Sequence, residues 1–520
     1  MIKNLYRKWT AWTVMMLSLC LMFTACGKQT DLEIDAETST ESIEAVETVE
    51  TDISKMTENM DDTLSFSSEI ATEAETEQES TDVITVYTTK EITYSDEEIP
   101  VQYSKDLTLL DHMGQADSSY AYRDGKVYYR QYHKDSFEEG ALYATYQPVA
   151  GTDKEIVCID ADGEKTVLFS DKGYGDIYLI GERFYMTEMT EDGRVIYSVD
   201  MQGQNRIDYG CGTIYAVDVD RGALVVRTQL DLYSVLDCKS GEMIPLDIDG
   251  YAYLSFWAYH DGWCYFEAYQ EMSDNISRVV AVSLEGEQRE IIALADTYYN
   301  EYICRMKVVR DRIYLVFGSY AGSGNFFHGG RLITIKLDGS DYRAVEITAH
   351  GENTSDAFCV CYDEDRPYVY FFHYYLKGDK DYYTGVWDVE ANTVFLSDFP
   401  QDLIWAQQSE GPYKENMNAR PYCVLKGEET NVYALPDDSS RIVQVVTQID
   451  SNIIQRGDGD ADRIDYKHLY YADGFLYFQV EFNVYSEEDS IGWRDGYIRL
   501  QTDVYRMKLD GNLLELLYSF

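Results

Sequence analysis

The sequence is poor in residues that interrupt strands and in motifs that mark common enzymes. Only 8 of its 520 residues are proline, so continuous β-ladders are permitted along most of the chain. It has no Gly-x-Ser-x-Gly elbow, no His-Glu-x-x-His helix, no P-loop and no Gly-x-Gly-x-x-Gly motif. These absences count against the usual hydrolase, zinc-protease and nucleotide-binding interpretations. Each histidine is interpreted as a local hydrogen-bonding residue: His112, His133, His260, His328, His350, His373 and His468.

Basic residues are also scarce relative to acidic ones. Lys and Arg total 43 against 93 Asp and Glu, which leaves a formal net charge of −50. A field of this sign repels nucleic acids and anionic lipid head groups, so we expect no nucleic-acid partner. Neutral and cationic partners, including glycans and multivalent metal ions, remain compatible with it, although solubility alone accounts for most of the charge.

Clusters with metal-ligand spacing are nearly absent. The 10 cysteines are spread along the chain without zinc-type spacing, and whether they form disulfides is left open. Asp458, Asp460 and Asp462 alternate as the oxygen ligands of a calcium loop would. The EF-hand pattern fails, because Arg and Leu stand where its Gly and its bidentate Glu belong. We therefore expect a solvated acidic loop and no cofactor, with a structural calcium ion as the alternative.

Only one long apolar run occurs, at residues 11–23, and it is too short to span a bilayer. Three basic residues precede it and the small residue Ala25 follows, which predicts a signal peptide over residues 1–25. Cys26 directly after these residues resembles the lipobox of bacterial lipoproteins. The resemblance implies lipidation of Cys26 by diacylglycerol and a lipid-anchored location on the extracytoplasmic face of the cell membrane. The alternative is an ordinary signal peptide cleaved after Ala25.

The segment that follows predicts a tether. Residues 27–82 contain 18 Asp and Glu against two Lys, and Phe66 is their only aromatic residue. Such a segment cannot bury enough apolar surface to offset its ordering entropy, so a disordered acidic stalk is predicted over residues 26–95. Lipidated acidic stalks of this kind resemble those of clostridial cell-envelope lipoproteins.

The remaining residues, 96–520, repeat two kinds of turn between alternating apolar segments, which predicts hairpins. The first kind is Asp-Gly before an aromatic strand, as at Asp261-Gly262 and Asp473-Gly474. The second kind ends in Gly286, Gly339 or their equivalents. Pairing them gives four-stranded units, the signature of an all-β propeller of eight blades, with seven as the alternative. The units begin near residues 119, 175, 212, 252, 302, 358, 399 and 464.

These repeats resemble propeller domains of unknown function in Gram-positive lipoproteins and, more distantly, TolB-like and YWTD-type propellers. The chain has no YWTD tetrad, WD repeat or intact Asp box. We expect Gly427-Glu428 and Asp437-Asp438 to replace the two turns of a degenerate seventh unit. We also expect residues 513–518 to supply a strand that closes the ring against the N-terminal segment 83–125, since closure removes exposed edges.

Long insertions predict the working face. In a four-stranded meander they would all join the second and third strands, at the end opposite the Asp-Gly turns. Rigid aromatic side chains on such loops suit protein or sugar recognition. The insertions are 133–154, 269–277, 318–331, 374–385 and 483–498. The candidate binding residues on them are Phe326, Phe327, Tyr382, Tyr383 and Trp493.

Three functions are compatible with the sequence. We favour a membrane-anchored, non-catalytic binding module for a protein or glycan, because no catalytic set is identifiable and the loops are aromatic. A carbohydrate-active enzyme with paired carboxylates on the same scaffold is an alternative. An assembly factor of an envelope complex is another, and fold alone does not choose among them. A monomer is expected.

Overall fold

The computed structural model divides the chain into two units, Met1–Ser80 and Thr81–Phe520, and every described residue belongs to the second. The described residues are 92–105, 119–133, 153–191, 193–229, 232–271, 275–295, 302–320, 327–346, 357–363, 366–374, 383–400, 403, 419–426, 429–436, 442–450, 454, 461–485 and 497–520. No helix within these ranges is long and apolar enough to cross a membrane.

These residues form 33 strands in eight sheets, numbered here as blades 1 to 8. Two strands precede the blades: β1 (Thr93–Ile99) and β2 (Gln102–Ser104). Blade 1 comprises β3 (Tyr120–Arg123), β4 (Lys126–Gln131), β5 (Lys154–Asp160) and β6 (Lys165–Asp171), and blade 2 comprises β7 (Tyr174–Ile180), β8 (Arg183–Thr190), β9 (Gly193–Asp200) and β10 (Ile207–Cys211). Blade 3 comprises β11 (Thr213–Asp218), β12 (Ala223–Gln229), β13 (Leu232–Asp237) and β14 (Glu242–Pro245), and blade 4 comprises β15 (Tyr253–His260), β16 (Trp263–Tyr269), β17 (Ile276–Ser283) and β18 (Gln288–Ala295). Blade 5 comprises β19 (Tyr302–Val309), β20 (Arg312–Tyr320), β21 (Phe327–Lys336) and β22 (Arg343–Glu346), and blade 6 comprises β23 (Ala357–Asp363), β24 (Arg366–Tyr374), β25 (Tyr383–Asp388) and β26 (Thr393–Ser397). Blade 7 comprises β27 (Ala419–Lys426), β28 (Glu429–Pro436) and β29 (Ile442–Asp450), and blade 8 comprises β30 (Arg463–Ala472), β31 (Phe475–Tyr485), β32 (Tyr497–Lys508) and β33 (Leu514–Ser519).

The predicted eight-bladed propeller is confirmed. Within each blade, consecutive strands are antiparallel neighbours, and seven of the eight predicted blade starts lie within one residue of the observed first strand. This order places the first-to-second and third-to-fourth connections at one end, named here the turn face. The other connections lie at the opposite end, the loop face.

Eight hydrophobic clusters hold the ring together, one between each pair of neighbouring blades. The inner strands of a blade are therefore buried on both faces, as in β16, where every residue between Trp263 and Tyr269 is buried. Fourth strands lie on the outside and are mostly exposed, as in β10. The nearly continuous apolar and aromatic runs of the second and third strands follow from this two-sided packing.

The Asp-Gly turns behave as their local chemistry predicts. Asp261 and Gly262 have φ values of +44° and +82°, and Asp473 and Gly474 have +51° and +79°. Two consecutive positive φ values define a tight hairpin turn whose twist matches that of the flanking strands, and Asp and Gly tolerate them best. The turn face is therefore a set of short, regular hairpins.

Blade 7 differs from the prediction. Its first strand begins at Ala419 rather than near residue 399, and residues 437–438 lie between its second and third strands. Its fourth position is occupied by β2, which runs parallel to β29, with Tyr103 paired to Val443. Strand β1 likewise adds a parallel fifth strand to blade 6 through β26. The N-terminal segment thus supplies an edge strand that no local repeat pattern could reveal.

The strand predicted at residues 513–518 exists as β33, but it meets the N-terminal part of the propeller through side chains rather than through strand pairing. In the described residues, β33 pairs only with β32 of its own blade. The ring closes instead through the hydrophobic cluster between blades 8 and 1. The hydroxyl of Tyr518 also donates to the carbonyl oxygen of Arg130 at 3.0 Å.

Candidate binding site

The loop face carries the predicted insertions. Strand order confirms that each of the five connects the second and third strands of its blade. Phe327 and Tyr383 begin β21 and β25, where their backbones pair with Tyr320 and Tyr374. Phe326, Tyr382 and Trp493 lie outside the described residues. A role for these five aromatic residues in binding stays a prediction.

A pocket of about 180 Å³ opens on the loop face where blades 8, 1 and 2 meet. It lies at strand ends, because Tyr174 begins the first strand of blade 2 and Phe520 follows the last strand of blade 8. Six aromatic side chains line it: Tyr120, Tyr129, Tyr132, Tyr174, Tyr518 and Phe520. Gly175 also lines it, and the polar side chains of the lining are those of Ser119, Arg130, Asp176, His468, Gln479 and Arg499.

The aromatic wall is built by stacking. Tyr518 lies parallel to Tyr129, with ring centroids 5.7 Å apart and an interplanar angle of 2°. Phe520 packs on Tyr518 at 5.8 Å and contacts Tyr132 at 5.4 Å. Burial raises the pKa of Tyr129 and of Tyr518, so both phenols stay neutral. The wall is therefore rigid and uncharged.

A buried ion pair supports the floor between blades 1 and 2. The Arg130 guanidinium lies 3.1 Å from Asp171, and both side chains are almost fully buried. Arg130 also donates to the carbonyl oxygen of Gly175, and Tyr197 donates to Asp171. Burial alone would lower the pKa of Arg130, but Asp171 and the neighbouring tyrosines raise it above its usual value. A Cβ at Gly173 would collide with this cluster, so the chain needs glycine there.

His468 enters the pocket from a distorted strand. The pairing of β30 with β31 shifts between Lys467 and Tyr470, and His468 has a φ of +51°. Its Nδ1 lies 3.3 Å from the Oγ of Ser119 on the neighbouring blade. His468 makes a hydrogen bond, as expected from the sequence. Its place in a pocket was not predicted from the sequence. A similar register shift interrupts the first strands of blades 2 to 6, so the bulge belongs to the repeat and no local residue pattern singled out His468.

Polar groups continue around part of the loop face. The fifth residue of the second strand is polar in five consecutive blades, from blade 8 to blade 4, and apolar or aromatic in blades 5 to 7. The polar residues at this position are Gln479, Arg130, Thr187, Arg227 and Glu267. The other three are Val316, Tyr370 and Tyr433. The pocket lies at one end of this polar arc.

The predicted calcium loop is only partly described, since Asp458 and Asp460 lie outside the described residues. Asp462 accepts a hydrogen bond from the backbone N–H of Tyr485 at 2.7 Å, which fixes the carboxylate against β31. No group of three or more potential metal ligands occurs in the part of the chain that the structure describes. A calcium site at this loop stays a prediction.

Comparison with known proteins yields only distant structural likenesses. No family model matches the chain, and no curated protein matches it significantly. The β-propeller domain of the trilobed protease from Pyrococcus furiosus is 10% identical, with a TM-score of 0.35, covering 77% of this chain and 96% of that chain. Two prolyl endopeptidases, described together, give 10% identity and a TM-score of 0.36, covering 79% of this chain and 50% of that chain. The N-terminal domain of Nup159 is 10% identical, with a TM-score of 0.30, covering 67% of this chain and 97% of that chain. Likeness at this level does not extend to function.

Proposed function

We propose that this protein is a lipid-anchored, extracytoplasmic binding module whose propeller binds a glycan in the pocket between blades 8, 1 and 2. The anchoring part rests on the signal-like segment 1–25 and on Cys26, which resembles a lipobox cysteine. The acidic stalk would hold the propeller away from a membrane that its own charge repels. The resemblance to Gram-positive envelope lipoproteins belongs to this proposal.

The pocket is the observation that carries the binding role. Tyr120 and Tyr129 are fully buried, so the partly exposed rings of Tyr132, Tyr174 and Phe520 would provide the apolar contact with a sugar. Gln479 and Ser119 would offer hydrogen bonds to its hydroxyl groups. The volume of about 180 Å³ is below the roughly 300–1,000 Å³ of drug-sized sites, so it suits a single ring. A protein partner would need a larger buried surface than this pocket provides.

Charge pairing favours binding over catalysis. Two of the three carboxylates at the pocket, Asp171 and Glu481, are bonded to Arg130 and Arg499 at 3.1 and 2.8 Å. The third, Asp176, accepts from the hydroxyl of Tyr178 at 3.1 Å. A glycosidase needs one carboxyl group to give up or take a proton and another to attack or activate water. Two of the three carboxylates here are held in ion pairs with arginine, which makes them poor candidates for either task, so the enzyme alternative gains no support here.

The experiment is a glycan array with the full-length protein, followed by titration of the best sugar against two variants. Tyr174→Ala removes an aromatic wall of the pocket. Tyr253→Ala is the matched control, since Tyr253 is the first residue of the first strand of blade 4, as Tyr174 is in blade 2. We expect Tyr174→Ala to lose about 30-fold in affinity, as for a hot spot of ~2 kcal/mol.

The Tyr253→Ala protein should bind like the parent. No glycan binding by the parent, or equal losses in both variants, contradicts a sugar site in this pocket. Capture of a purified envelope protein that sugars do not displace would favour the protein-partner alternative instead.

A further inference from the structure

The pocket carries balanced charge. The groups that line it, together with the groups paired to them, comprise three cations and three carboxylates. They are Arg130, Lys467 and Arg499, and Asp171, Asp176 and Glu481. Glu481 accepts from both Lys467 at 2.7 Å and Arg499 at 2.8 Å, and Asp176 accepts from Tyr178 at 3.1 Å. With the cations already paired and the whole chain strongly acidic, an anionic ligand has no counter-charge to meet.

The backbone at His468 is unusual among the described residues. Every other non-glycine residue there with positive φ lies in a hairpin turn or at a strand end, whereas His468 lies inside β30. The corresponding bulge of β7 in blade 2 contains Gly175, with a φ of +71°, and glycine adopts this conformation without strain. Blade 8 thus holds an imidazole where the backbone prefers glycine. Strained residues of this kind point to a function of the side chain.

We propose that the pocket takes an uncharged sugar and that His468 is the residue that recognises its hydroxyl groups. This inference rests on the proposed function, since it names the ligand class and the specificity-determining residue of the same pocket. A sugar hydroxyl can either donate or accept, so it can bond the Nε2 of His468 whichever tautomer the imidazole adopts. The hydrogen bond between the Oγ of Ser119 and Nδ1 orients the ring.

Three variants test this proposal in the full-length protein. His468→Gly removes the imidazole and relieves the positive φ, and His468→Asn keeps a donor, an acceptor and tolerance of positive φ. Asp473→Gly is the matched control, because Asp473 has the same φ of +51° but lies in a turn on the opposite face. We expect His468→Gly to lose at least tenfold in affinity without a lower melting temperature. His468→Asn should lose less, and Asp473→Gly should bind like the parent.

Monodeoxy analogues of the best neutral sugar on the array supply the sharper readout. For one analogue, the affinity of the parent should be at least tenfold lower than its affinity for the full sugar. The His468→Gly protein should bind that analogue and the full sugar with equal affinity. This coupling isolates the contact between the imidazole and one hydroxyl group. A histidine that merely holds blade 8 to blade 1 would lower the melting temperature and show no such coupling.

The outcomes separate the two proposals. Glycan binding that both His468 variants retain at the parent's affinity overturns this inference and leaves the glycan site intact. Binding confined to uronic or sialic acid glycans overturns the uncharged ligand class. If the parent binds no glycan at all, the proposed function fails and this inference fails with it.

Discussion

Glu267 is a buried carboxylate in blade 4 whose hydrogen-bond donors in the described residues are all uncharged, and substitution by Gln tests what that charge costs. The residue is 6% exposed. Its Oε1 accepts from the backbone N–H of Ile303 at 3.0 Å, the hydroxyl of Tyr269 at 2.8 Å and that of Ser277 at 3.2 Å. Its Oε2 has only a long contact of 3.5 Å, to the indole nitrogen of Trp257.

The sign of the effect follows from burial. Burial raises the pKa of Glu267 and outweighs the hydrogen bonds, which lower it. The folded protein therefore holds this proton more tightly than the unfolded chain, and stability falls as pH rises from the usual Glu pKa of about 4.3 to the folded value. At a pH above the pKa values of both the folded and the unfolded state, each unit by which folding raises the pKa of Glu267 lowers the free energy of unfolding by about 1.4 kcal/mol.

Glu267→Gln keeps an amide oxygen for the three short hydrogen bonds and removes the charge. We expect it to match the parent near pH 4 and to become more stable than the parent as pH rises towards 8. Glu267→Ala should instead lose roughly 3 kcal/mol or more at every pH, because three donors lose their acceptor at about 1–3 kcal/mol each.

The assay is urea denaturation between pH 4 and 8, followed by tryptophan fluorescence. Glu285→Gln, at an exposed position in a turn of the same blade, is the control for the general loss of one charge. If Glu267→Gln and the parent show the same dependence of unfolding free energy on pH, the buried carboxylate does not carry the cost assigned to it.

Two further perturbations concern the N-terminal part of the chain. Cys26→Ser should abolish incorporation of labelled lipid and release the protein from membranes washed with carbonate, because no other thiol stands at the lipobox-like junction; equal retention would count against anchoring. Val101→Asp should destabilise the junction of blades 6 and 7 by roughly 2–4 kcal/mol, since Val101 is 6% exposed and packs between them. Limited proteolysis should then cut between β1 and β2 faster than in Gln102→Asp, whose site is exposed. Equal cutting rates would contradict a contribution of Val101 to holding this segment between blades 6 and 7.

Features of the fold that depend on short segments were predictable from the sequence. The turn at Asp261-Gly262 and its repeats need only local φ tolerance, and strand alternation reports the faces buried between blades. Seven blade starts follow from this pattern. In blade 7, residues 427–428 connect the first two strands as expected, but residues 437–438 connect the second strand to the third, and the start lies at Ala419 instead of near residue 399.

The sequence by itself determined the repeat, the chain-wide acidity and the leader-like segment, because each is written in consecutive residues. Only the tertiary structure decided that β2 completes blade 7 and that Ser119 meets His468, 349 positions further along the chain. It also decided that Tyr518 closes the ring against blade 1. These contacts join segments whose separation in sequence is unrelated to their distance in a closed ring. The periodicity and spacing of residues along the chain therefore cannot predict them.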